Sequence, residues 1–351
     1  MKRSKLFFYG KILIQLLLAA AGIYAALKYP QACTRGIDEG IALCLEVLIP
    51  SLFLFMTLTA YLIASGAVTI LAAPFNRLSR ILFRMPAESM MTVLLSLLGG
   101  YPIGAGCAVM LYEEGVISES EAVKTAYIAV AAGPGFLLNY IGRSLLNCPA
   151  MGNVLMVSQA VGVLVTGVIV GHTIRSVPPT RRNDARHTGG NALVQAVIAA
   201  GKATFSMCAT VLLFSAVIEV VLTVSDQRIA DILAPLIEIT TGCRRICGSV
   251  PLTVTAFCVG FGGMAVHFQI FAVLKSIRFS KLLFFLIRII EGIITMATAY
   301  IYLMIVPIEN AVFSTTTQPL TAGHTATLAG SGALILLSVC FIGATTQRIR
   351  R

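Results

Sequence analysis

Charge is what this sequence has least of. Only 12% of its 351 residues are Asp, Glu, Lys or Arg, against about 25% in an ordinary soluble domain. With 57% hydrophobic residues and a mean hydropathy of +0.89, the chain has no room for a large soluble domain between its apolar runs. It also lacks the constellations of an enzyme: no HExxH, no GxSxG elbow and no Walker loop occurs. His172 and His187 fall at or beyond the end of an apolar run, beside arginines, so no catalytic residue is assigned. Nine cysteines are scattered, and the one close pair, Cys243 and Cys247, has no partner ligands at zinc-binding spacing. No metal, disulfide or cofactor is expected. What charge there is has one dominant sign, +11 net, but it sits in short clusters between apolar runs. That placement marks membrane topology and contact with anionic lipid, not nucleic-acid binding.

A membrane crossing takes roughly 20 apolar residues. Runs of that kind cover about 11–28, 41–65, 90–112, 123–142, 152–174, 196–224, 252–274, 282–306 and 327–345. The first is long for a signal h-region and reads as an uncleaved span, preceded or entered by Lys2, Arg3, Lys5 and Lys11, with cleavage after Ala32 as the alternative. Basic connections at 66–89, 175–191 and 275–281 and the tail Arg348, Arg350, Arg351 should face the cytoplasm. Residues 307–326, with no Lys or Arg, belong outside. Three runs lie between two connections that want the same side, so one of them fails to cross. The expectation is a re-entrant segment at 123–142, interrupted by Ala131-Ala132-Gly133-Pro134-Gly135, with 90–112 as runner-up. Eight crossings with both termini cytoplasmic then remain.

Two landmarks recur. Ala73-Pro74-Phe75 matches Ala234-Pro235-Leu236 at an offset of 161, and Gly99-Gly100 matches Gly262-Gly263 at an offset of 163. By the charge rule the two halves run in opposite directions. The expected fold is therefore all-α and polytopic: two inverted repeats with broken or re-entrant helices. The segments are a first span (1–37), a first repeat with its following span (38–174), a basic loop (175–191), a second repeat (192–306), and a last span with a basic tail (307–351).

Pro50-Ser51-Leu52-Phe53, then GGYPIGA at 99–105, the acidic turn at 113–122, and FGGMAVHFQ at 261–269 followed by KLLFFLIRIIEG at 281–292 resemble the YlbJ-type sporulation integral membrane proteins. That family carries the Gate, or nucleoside-recognition, domain. The resemblance implies a multi-pass protein of the bacterial inner membrane, acting in spore formation and cortex assembly and moving or recognising a small polar, nucleoside-like solute. A non-transporting scaffold of the spore envelope is the alternative. A homo-oligomer is left open. The chain departs from the family at Gly106, where a lysine is usual, at Ala131-Ala132, and at His267.

Paired helix breaks inside apolar runs point to a transporter-like binding site, because backbone groups freed from a helix at membrane depth must line a cavity or be buried in protein. The candidate substrate-binding residues are Gly99, Gly100, Tyr101, Pro102, Gly104 and Gly106 at the first break, with Gly133, Pro134 and Asn139 after it. Gly262, Gly263, His267 and Gln269 complete the set at the second break. Glu219 is a candidate ion or proton site. Arg288 and Glu291, three apart, are expected to pair on one helix face.

Overall fold

The computed structural model describes residues 2–177 and 191–306. The expected crossing at 327–345, the loop 307–326, most of the basic loop 175–191 and the side chains of Lys2, Arg3, Lys5 and Lys11 lie outside the described residues. Every regular element among those described is helical, which is what hydrocarbon demands of an apolar chain that does not close a barrel. Helix α1 (Lys2–Lys28) leads to α2 (Pro30–Leu43), which continues through a wide turn at Cys44–Leu48 into α3 (Ile49–Ala64). Next come α4 (Ala67–Ala72), α5 (Asn76–Leu82), α6 (Ala87–Gly99), α7 (Ile103–Glu113) and α8 (Glu119–Ile128). A wide helix Gly135–Leu145 and α9 (Pro149–Thr173) close the first half. The second half holds α10 (Ala192–Val224), α11 (Gln227–Ile237), α12 (Ile239–Ile246), α13 (Leu252–Phe261), α14 (Gly263–Val273) and α15 (Lys281–Ile305).

Among the described residues, four stretches are long and apolar enough to cross a membrane: Pro149–Thr173, Ala192–Val224, Leu252–Ser276 and Lys281–Ile305. Bent pairs raise this to as many as six; α1 meets the following helix at 99°, and α3 meets α4–α5 at 88°. The α2–α3 helix runs antiparallel along α10, with Gly36 against the backbone of Ser215 and Ala216, Gly40 against Leu212, and Met56 Sδ receiving the Thr204 hydroxyl at 3.4 Å. A Cβ on Gly36 would lie 2.6 Å from the Ala216 Cα. Close backbone approach through small residues is the ordinary way helices associate in lipid, where apolar burial gives no driving force.

Two sets of polar contacts mark the two ends of the bundle. At one end, the buried Lys124 ammonium donates to the Arg84 and Gly171 carbonyls at 3.1 and 3.0 Å. Ser120 exchanges hydrogen bonds with the Val177 backbone, and the Arg278 N–H donates to Glu119 at 3.0 Å. At the other end Arg35 pairs with Glu219, Arg244 with Glu39, and Arg245 with Asp231 at 2.8 Å. The first set decides which run turns back. α6 begins just after Arg84, and α7 ends just before the Ser118–Glu121 capping box that starts α8. Both ends therefore lie at the Lys124 end. With 13 and 11 residues, the arms are about 20 and 17 Å long at 1.5 Å per residue, too short for a core of about 30 Å.

The hairpin is thus 87–113, which contains the run 90–112, and the expectation for 123–142 is corrected. α8, an irregular run and the helix Gly135–Leu145 together form a broken helix that leads away from that end. In the second half α11 and α12 pack on each other as a hairpin, with Gly242 seated on Pro235, and α13–α14 is the broken helix that follows. The sequence landmarks do not match structural equivalents. Gly99-Gly100 sits at a hairpin tip whereas Gly262-Gly263 breaks a long helix, and Ala73-Pro74 precedes a hairpin whereas Ala234-Pro235 lies in a hairpin arm. Glycine pairs serve both features, since each needs left-handed φ values, +76° at Gly100 and +86° at Gly262.

Candidate functional site

Each hairpin tip rests on the broken helix of its own half. A Cβ on Gly100 would lie 3.2 Å from the Gly133 nitrogen, and one on Gly263 would lie 3.1 Å from the Ile239 nitrogen. Each half is also tied to the other by a tyrosine. Tyr101, at the first tip, donates its hydroxyl to the Val259 carbonyl at 2.6 Å. Tyr140, after the first break, donates to the Thr240 carbonyl at the second tip at 3.4 Å. The Tyr101 ring also covers Gly262, where a Cβ would come 3.5 Å from it.

A helix that stops in the membrane leaves its last four carbonyls without intrahelical partners. At the end of α13 all four are satisfied, and by different means. Cys258 accepts from the Gly262 N–H at 2.8 Å. Val259 accepts from Tyr101. Gly260 and Phe261 accept from the Arg288 guanidinium. Arg288 in turn pairs with Glu291 at 2.5 Å, with both side chains fully buried. The expected Arg288–Glu291 pair exists, and its work is to hold the second break. The second tip is capped from within: the buried Glu238 carboxylate accepts from the Thr240 and Thr241 N–H groups at 2.9 and 2.7 Å.

The first break is not satisfied in this way. Ala129–Gly133 is non-helical and buried, with Ala131 and Ala132 at 0% and 2% exposure. Among the described residues, no hydrogen-bond partner meets the N–H groups of Ala131, Ala132 and Gly133 or the carbonyls of Val130, Ala131 and Ala132. Buried backbone groups are paired in the great majority of cases, so this run is an exception among the described residues.

Between the two tips and the two breaks lies a cavity of about 30 Å³, roughly the space of a water or two. Gly100 and Tyr101 come from the first tip, Gly133 and Phe136 from the first break, Ile239 and Thr240 from the second tip, and Val266 and Gln269 from α14; Leu48, Leu52, Met207 and Val211 complete the wall. No charged side chain lines it. The Gln269 side chain is 5% exposed and its Oε1 has no partner.

Of the residues expected from sequence, Gly100, Tyr101, Gly133 and Gln269 line this cavity. Gly99, Pro102, Pro134, Gly262 and Gly263 shape the tip or the breaks around it. Gly104 packs α7 against Ser96 and Ala129, and Gly106 faces open space, with nothing within 4 Å of a Cβ there. His267 lies apart, in a box of Phe261, Phe271, Phe284 and Phe285 with ring centroids 4.8 to 6.4 Å away. Its Nδ1 donates to the Gly263 carbonyl at 2.6 Å. Asn139 is exposed, and Glu219 is paired with Arg35 at 3.9 Å. Sequence reasoning missed Glu238, Thr240 and Phe136. A lone carboxylate in an apolar stretch, directly before Thr240-Thr241, was the signal for the first two.

No family model and no solved structure matches the chain. It is 24% identical over 332 residues, covering 81% of this chain and 80% of the other, to the sporulation integral membrane protein YlbJ of Bacillus subtilis (strain 168). That coverage supports a YlbJ-type family for the chain, in keeping with its all-helical, multi-pass build.

Proposed function

We propose that this YlbJ-type membrane protein recognises or moves a small polar solute during spore formation, and that the solute binds where the two hairpin tips meet the two broken helices. One observation carries the reading: both hairpin tips, the first break and the helix that follows the second break, from distant parts of the sequence, converge on one cavity. Irregular backbone at membrane depth is tolerated where it lines such a site, and tip-and-break pairs of this kind recur in transporters built from inverted halves. In this reading the two halves are related by a two-fold axis in the membrane plane, and the cavity lies on it. The narrow cavity belongs to a conformation in which the Tyr101–Val259 and Tyr140–Thr240 bonds hold the halves together, and solute passage requires them to part.

The small volume of the cavity favours a second reading, a scaffold that supports spore-envelope assembly without transport. One experiment separates the two. In a spore-forming host lacking its own YlbJ-type protein, Gly133→Val would press against the Leu98 and Gly100 backbone at the cavity wall, whereas Leu13→Ala would alter only an exposed position on α1. If the chain is a solute protein, Gly133→Val abolishes heat-resistant spores while membrane abundance stays normal, and Leu13→Ala does not. Normal sporulation by an abundant Gly133→Val protein would leave the scaffold reading.

A further inference from the structure

The unsatisfied run Ala129–Gly133 says something about the solute. Resting on the solute-site reading above, we infer that the site selects an uncharged solute with an amide-type edge, one carrying a hydrogen-bond donor and an acceptor side by side. Of that run Gly133 lines the cavity, and its N–H has no partner among the described residues, so the wall offers a free backbone donor there. Gln269, also in the cavity wall, adds an unpartnered acceptor on a side chain whose amide can also donate. A solute that carries an acceptor and a donor side by side satisfies the Gly133 N–H and the Gln269 oxygen together.

The charges nearby do not favour an ion. Both Glu238 oxygens are engaged by the N-terminus of α12, and Arg288 is neutralised by Glu291. The remaining wall is apolar: Leu48, Leu52, Phe136, Met207, Val211 and Val266. A carboxylate would face the Gln269 oxygen. An ammonium would face the Gly133 N–H. Either would lose its hydration without a counter-charge.

The test uses the full chain in proteoliposomes, with solute influx followed by light scattering after an osmotic step. Acetamide, sodium acetate and methylammonium chloride are probes of similar size and different charge. Acetamide should enter severalfold faster than in protein-free liposomes, and the two ions should not. Gln269→Leu should lower the protein-dependent acetamide rate by about three- to tenfold, the effect of one hydrogen bond lost from a site. Gln269→Asn, which keeps the amide, should retain more of the rate than Leu. If acetate or methylammonium moves in a Gln269-dependent way and acetamide does not, the amide class is wrong and the solute site stands. If none of the three moves faster than through lipid alone, while the protein is folded by size-exclusion chromatography, both the class and the site fail.

Discussion

Arg288 should be the most costly side chain to lose in the second half. Its guanidinium reaches the Gly260 and Phe261 carbonyls and Glu291, all in a fully buried setting. Arg288→Met removes both kinds of partner at once. Leaving a buried carboxylate unpaired costs about 3–5 kcal/mol, and interhelical hydrogen bonds within membranes average about 0.6 kcal/mol each. The single variant should therefore lose about 4–6 kcal/mol, a large part of a total stability of about 5–15 kcal/mol. The double variant Arg288→Met/Glu291→Met removes the orphaned charge and should recover most of that loss. It cannot replace the donors to the two carbonyls, so it should stay below the native protein by about 1 kcal/mol. Thermal unfolding of purified protein in one detergent, with the four members of the cycle side by side, reads these differences. The reasoning is refuted if the double variant is no more stable than Arg288→Met, since the penalty would then not come from the stranded carboxylate.

Glycine substitutions in the first hairpin should separate by surroundings, not by position in the motif. Gly104→Ala should destabilise strongly, because its Cβ would meet the Ser96 Cβ at 2.6 Å and the Ala129 backbone, while Gly106→Ala should be neutral, with nothing within 4 Å; yields of folded protein by analytical gel filtration check both. His267→Ala should lower stability by about 1–3 kcal/mol through the lost Gly263 bond and reduce abundance, leaving sporulation per folded molecule unchanged. A drop in specific function at normal abundance would instead return His267 to the site.

The helical, multi-pass build was legible because hydropathy and charge report it directly, and so was the place of the breaks, because Gly99-Gly100, Gly133-Pro134 and Gly262-Gly263 interrupt runs that would otherwise be helical. The re-entrant run was misassigned for a physical reason. The charge rule counts sides, and both 90–112 and 123–142 satisfy the same count if one turns back. Only the Lys124 bridge between Arg84 and Gly171 shows where α6 and α7 begin and end. The two glycine landmarks pair unlike features for a related reason: glycine marks any backbone with positive φ, so a tip and a helix break share one signature. At the site, Gly100, Tyr101, Gly133 and Gln269 were readable as polar or flexible residues at membrane depth. The roles of Tyr101 and Tyr140 as cross-ties were not, since each meets a carbonyl 100 or more residues away, a separation that no local pattern encodes.

The central claim is that two hairpins enter the bundle from opposite ends and meet at the cavity. Its most direct test is side-specific labelling of single cysteines, at Glu113 and Arg278 for one end and at Gln227 and Ser249 for the other, in a cysteine-free background in intact cells. Glu113→Cys and Arg278→Cys should both be shielded from an impermeant thiol reagent added outside, whereas Gln227→Cys and Ser249→Cys should both react. Reaction of Glu113→Cys from outside while Arg278→Cys stays shielded would mean that 87–113 crosses the membrane, and the hairpin account would be contradicted.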